Sequence, residues 1–136
     1  MINQIARIYT AVSGIFLLAQ GISTLAFRLY PPLDRAFPAL LATTQMIPIH
    51  STLHIVTGVI ALFILYRGGE RGAFWFALGF GLFYLALGLA GMFSGQPLGL
   101  GLQPFDHPIH LVLGVVGLLV AAPTIYESFS NRKVSS

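Results

Sequence analysis

Four stretches of this chain, residues 8–27, 46–66, 73–93 and 107–126, contain no Asp, Glu, Lys or Arg. Each is about twenty residues long, and a helix of that length rises about 30 Å, the thickness of a bilayer's hydrocarbon core. The pattern predicts four membrane-spanning helices. Charged residues make up 8% of the chain and hydrophobic ones 56%, whereas a water-soluble domain carries about a quarter charged residues. So few charges would not cover a water-facing surface, and the expected solvent is lipid. The first stretch is too long for the apolar region of a signal peptide, and no small-x-small cleavage site follows it, so it reads as a span. The expected fold is all-α: an integral membrane four-helix bundle, one domain over residues 1–136.

The spans are joined by a long loop with Pro31, Pro32 and Pro38, a tight turn Arg67-Gly-Gly-Glu-Arg-Gly72, and a Gly/Pro loop from Ser94 to Asp106. Basic residues set the orientation of such a chain. Arg7, Arg67, Arg71, Arg132 and Lys133 fall on one side, and only Arg28 and Arg35 on the other. Both termini are therefore expected on the cytoplasmic side. The net charge of +3 is too sparse for a nucleic-acid footprint. With no cysteine, disulfides, thiolate metal sites and cysteine nucleophiles are excluded.

The second and fourth spans resemble each other without a gap. Pro48-Ile-His50-Ser-Thr-Leu-His54-Ile-Val56-Thr-Gly58-Val59 lies over Pro104-Phe-Asp106-His-Pro-Ile-His110-Leu-Val112-Leu-Gly114-Val115. The first and third spans give a fainter echo, Gly14-Ile-Phe16-Leu-Leu18 against Gly81-Leu-Phe83-Tyr-Leu85. The reading is a helical hairpin used twice. Each copy has two spans, so both insert the same way round, a parallel repeat about an axis along the membrane normal.

The chemistry is concentrated in the repeated stretch. It holds all four histidines, His50, His54, His107 and His110, together with Asp106. The spacings His50-x-x-x-His54 and Asp106-x-x-x-His110 put each pair on one helix face. Further along those faces stand Gly58 and Ala61, then Gly114 and Gly117, small residues that let membrane helices approach closely. Spans two and four are expected to pack face to face through them, with the histidines and the aspartate meeting near the extracytoplasmic interface. Two accounts of the cluster stay open. In the structural one, Asp106 caps the fourth span, His107 faces water, and the other histidines form an interhelical hydrogen-bond network. In the other, His50, His54, Asp106 and His110 bind a cofactor: a metal ion, for which imidazoles and a carboxylate suit zinc, copper or iron, or a haem or chlorophyll. Phe74, Trp75 and Phe76 read as interfacial anchors.

These two histidine-led stretches, His50-x-x-x-His54 with Gly58 and Asp106-x-x-x-His110 with Gly114, resemble the bacterial domain-of-unknown-function family 4383 of small four-span proteins. The resemblance implies the same architecture, marks the same four polar positions, and assigns no reaction. The expected function is non-enzymatic: an accessory or structural subunit of a larger photosynthetic or respiratory complex, with lipid and other membrane subunits as partners, in a bacterial inner or thylakoid-type membrane. The alternatives are a metal-, haem- or chlorophyll-binding protein and a small transporter.

Overall fold

The computed structural model describes residues 2–36, 46–94 and 96–134. Its elements are α1 (Ile2–Leu29), the short α2 (Pro31–Ala36), α3 (Pro48–Ser94), a 3-10 turn (Pro97–Gly99) and α4 (Asp106–Val134). There is no strand among the described residues. Three helical segments, Gln4–Leu29, Pro48–Ser94 and Asp106–Ser128, are long and apolar enough to cross a membrane. Pro31 and Pro48 open helices and Pro108 lies in the first turn of α4, positions whose N–H has no intrahelical partner to lose; Pro123 lies inside α4 and removes one helical hydrogen bond. Of the long first loop, Pro31 and Pro32 lie in α2, and Pro38 lies outside the described residues.

The four separate helices expected from sequence are three continuous ones. The turn expected at 67–72 is not a loop, because only Gly69 leaves helical geometry (φ 53, ψ −140), and helix resumes directly on either side. That backbone conformation is open to glycine and strained for other residues. One residue is enough to reverse the chain. A straight helix of 47 residues would be about 70 Å long, yet Ala61 and Ile64 share a core cluster with Phe76, Ala77 and Phe80. The arms 48–68 and 70–94 therefore run back along each other. α1 and α4 also extend beyond the apolar stretches that predicted them, since helical hydrogen bonding continues past the last apolar residue.

Packing is inside out by the standard of a soluble protein. Thr10, Ser13, Thr24, His50, Ser51, His54, Asp106, His107 and His110 are buried, while Ile5, Ile8, Val12, Ile15, Phe63, Leu82, Val112 and Leu119 face outward. Water as solvent would favour the reverse arrangement.

Glycine decides which helices touch, and here the structure corrects the expected pairing. A methyl group built on Gly58 would lie 2.8 Å from the Gly14 carbonyl oxygen and 2.7 Å from Leu18 Cγ, and Ala61 meets Gly14 in the same interface. Gly114 lies against the Leu85 backbone, and Gly117 against Ala77, Gly81 and the Tyr9 hydroxyl. Gly58 and Ala61 thus seat α1 on the first arm of α3, and Gly114 and Gly117 seat α4 on the second arm; they do not join the first arm to α4. The two interfaces correspond contact for contact. Gly14 on Leu62 matches Gly81 on Leu118, Gly21 on Ile55 matches Gly88 on Leu111, and Gly58 on Leu18 matches Gly114 on Leu85. Burial follows the same spacing: Ala6, Tyr9, Thr10, Ser13 and Leu17 in α1 answer to Ala73, Phe76, Ala77, Phe80 and Tyr84.

The pairs are tied together across the core. The Tyr9 hydroxyl donates to the Leu113 carbonyl (2.7 Å), and its ring meets Phe80 edge-on at 6.2 Å. At the other end the bonds lie within the first pair: Arg28 Nε donates to the Met46 carbonyl (2.8 Å), and the Thr24 and Ser51 hydroxyls are hydrogen-bonded at 2.9 Å. There the last loop folds inward. Leu100 and Leu102 pack on Leu87, Gly101 lies against Ile47, and Gln96 Nε2 donates to the Leu102 carbonyl (2.9 Å).

Candidate metal centre

Two helix starts deliver the histidines. α3 begins at Pro48, and the Ile47 carbonyl accepts the first-turn N–H groups of His50 (2.9 Å) and Ser51 (3.1 Å). His54 follows one turn deeper on the same face. α4 begins at Asp106, whose Oδ2 accepts the Gln103 backbone N–H at 2.7 Å. That contact is half of a capping box, the third residue of the turn reaching back to an otherwise orphaned donor. Asp106 is therefore not the N-cap that the structural account expects: it is the first residue of α4, and its carboxylate reaches back to Gln103. His110 comes one turn later.

The first arm of α3 and α4 do meet, through imidazoles and not through glycines. The His50 and His54 rings are 4.5 Å apart at 82°, and the His50 and His110 rings 6.2 Å apart at 62°. One nitrogen from each of His50, His54 and His110 lies within 4.8 Å of the other two. These residues are 2%, 4% and 2% exposed. Tyr84, from the second arm of α3, sets its ring perpendicular to His110 at 4.9 Å and stacks on Phe80 at 4.0 Å.

Four of the six nitrogens in this triad are buried with no hydrogen-bond partner: His50 Nδ1, His110 Nδ1, and both nitrogens of His54. An interhelical hydrogen-bond network would leave them paired. Each unmatched buried polar group costs about 1–3 kcal/mol, so the arrangement is expensive for the protein alone. It has the form of a ligand set. Imidazole nitrogens bind zinc at about 2.0–2.1 Å, which puts neighbouring nitrogens about 3.3 Å apart in a tetrahedral shell. From 4.8 Å at the widest, closing on an ion requires a contraction of about 1.5 Å.

The four positions expected to act together divide into three and one. Asp106 is buried (5% exposed) and acts electrostatically on His50, but its carboxylate stands outside the triad. His107, expected to face water, is buried at 8% exposure with its ring seated on Gly91 and Nδ1 unpartnered. The glycines beside the histidines do not offer a slot for a flat macrocycle, because neighbouring helix backbones fill it. Sequence reasoning missed Tyr84. The available signal was its position in the faint repeat, a tyrosine where the first copy has Leu17.

The family model for the domain of unknown function DUF4383 matches residues 7–123, and the chain belongs to that family. No curated protein and no solved structure matches it.

Proposed function

We propose that the protein is a non-enzymatic, four-pass membrane protein that binds a transition-metal ion through His50, His54 and His110. The observation that carries this reading is the unpartnered state of four nitrogens in three buried histidines. Neutral imidazoles suit zinc, copper, iron and nickel. Three protein ligands leave a fourth position for water, a carboxylate or a transferring group. The nearby Asp106 carboxylate offsets part of the charge of a cation held at this depth, where an unpaired charge is costly.

The expected test uses the full-length chain in detergent, titrated with Zn2+ or Co2+. One equivalent binds to the wild type. The His54→Ala/His110→Ala variant binds more than about 100-fold more weakly, beyond the range typical for loss of a merely supporting residue. A wild-type protein that takes up neither these ions nor Cu+ would sink the proposal.

The bend at Gly69 supports counting α3 as two passes, and the matched packing of the two halves supports a hairpin used twice. In that reading, the clustering of Arg7, Arg67 and Arg71 at one end puts this end in the cytoplasm, and the histidines at the opposite interface. A Glu70→Cys variant of this cysteine-free chain should react with an impermeant thiol reagent from the cytoplasmic side only. Labelling from the outside would reverse the orientation.

A further inference from the structure

α1 and α4 do not close on each other along their whole length. Between them lies a cleft of about 420 Å³, walled by Val12 and Phe16 of α1 and by Pro108, Ile109 and Val112 of α4, with Ser13 at its base. That volume is in the range of small-molecule sites, about 300–1,000 Å³. Val12, Phe16 and Val112 are exposed, so the cleft opens on the apolar outer surface, whereas Ser13 is 1% exposed. The Ser13 hydroxyl departs from the habit of the other helix hydroxyls. Thr10, Ser23, Thr24, Thr52, Ser94 and Ser128 each donate to a carbonyl three or four residues back, which spares the helix an unmatched donor. Ser13 Oγ is buried with no partner. The Tyr9 hydroxyl lies close to it but gives its own proton to the Leu113 carbonyl.

The other half of the molecule shows what the cleft lacks. The residue matching Ser13 is Phe80, a buried ring stacked on Phe76 at 4.9 Å and on Tyr84 at 4.0 Å. By the same correspondence, the space between α1 and α4 matches the space between the two arms of α3, where Phe80 shares a core cluster with Ala61. One interface is filled by an aromatic ring. The other keeps a serine with an idle hydroxyl and an open cleft.

We propose that this cleft binds an isoprenoid quinone, its ring taking the place that Phe80 occupies in the other half and a ring carbonyl accepting the Ser13 O–H. Ser13 is the only polar side chain on the cleft among the described residues, so a strongly polar ligand would be left unmatched. An acyl chain would fill the apolar walls but offers Ser13 no acceptor. A quinone combines a flat ring, a carbonyl and an apolar tail that can leave over Val12, Phe16 and Val112. Binding transfers no electron and makes no use of the histidines.

The test is equilibrium gel filtration of the full-length protein in detergent containing decylubiquinone, with bound quinone read from its ultraviolet absorption above that of empty micelles. The wild type should hold one equivalent, saturably. Ser13→Ala, which keeps the cleft and removes the donor, should bind about 3–10-fold more weakly. Ser13→Phe, which gives the first half the ring of the second, should bind nothing above the micelle background while melting at or above the wild-type temperature. Decylbenzene, with a ring and tail but no carbonyl, should compete more weakly than decylubiquinone by the same factor. The proposal is overturned by wild-type uptake that does not saturate, by unchanged affinity in Ser13→Ala, by Ser13→Phe still binding, or by equal competition from decylbenzene, which would leave only an apolar filling. A wild-type dimer that Ser13→Phe converts to monomer would give the cleft to a second copy of the chain, and would overturn it too.

Discussion

Replacing His54 with leucine should stabilise the metal-free protein and abolish its metal binding. Both His54 nitrogens are buried without a partner, so the substitution breaks no hydrogen bond and removes two groups that cost about 1–3 kcal/mol each to leave unmatched. The two side chains differ little in volume, and a near volume-conserving change in a packed core costs less than about 1.5 kcal/mol. The balance is a gain of about 0.5–6 kcal/mol, read as a higher midpoint in denaturant or thermal unfolding in detergent. Metal reverses the ranking. At a free ion concentration about a thousand times the dissociation constant, binding adds about 4 kcal/mol to the wild type and nothing to His54→Leu. A destabilised metal-free His54→Leu would mean that the imidazole holds the helices together, and the structural account of the cluster would be restored.

The second large effect is expected at Gly114. A methyl group there would fall on the Leu85 backbone, 2.7 Å from its Cα, and backbone in a helix has no rotamer by which to yield. Helix 70–94 and α4 must separate, with a cost of about 1–3 kcal/mol or more for overpacking. That loss matters more in lipid, where close packing carries much of the association between helices. Gly79→Ala is the control, since nothing lies within 4 Å of the added methyl. It should be neutral or stabilising, by up to about 1 kcal/mol of helix propensity. Equal unfolding midpoints for the two variants would refute the assignment of Gly114 to a backbone–backbone contact.

These contrasts mark what could be read from the sequence. Where the apolar stretches lie was legible, because an unbroken run without charge has few alternatives. The coming together of His50, His54 and His110 was legible too, since helical spacing fixes which residues share a face. The partner of each face was not. In a soluble helix the apolar side identifies the interior, but here lipid and interior are both apolar, so Gly58 and Gly114 carried no sign of which helix they would meet. Asp106 was ambiguous for a different reason. A carboxylate four residues from a histidine fits a ligand pair and a helix start equally well, and the choice depends on whether Gln103 presents its N–H. His107 was read as facing water because the glycine that receives its ring, Gly91, is distant in sequence. The single-residue reversal at Gly69 was hidden among neighbouring glycines, each of which is conformationally permissive.

Gly69 also divides the chain into two halves that arise at different times during synthesis. Residues up to the bend supply His50 and His54, and His110 is made only once the last helix has begun. The first half can seat α1 against its own arm through Gly14, Gly21 and Gly58 before the second exists. It cannot complete the set of three imidazoles. An ion held by all three would therefore act as a rivet placed after assembly, fastening the early half to the late one, and its retention would distinguish a finished molecule from one still waiting for its second hairpin.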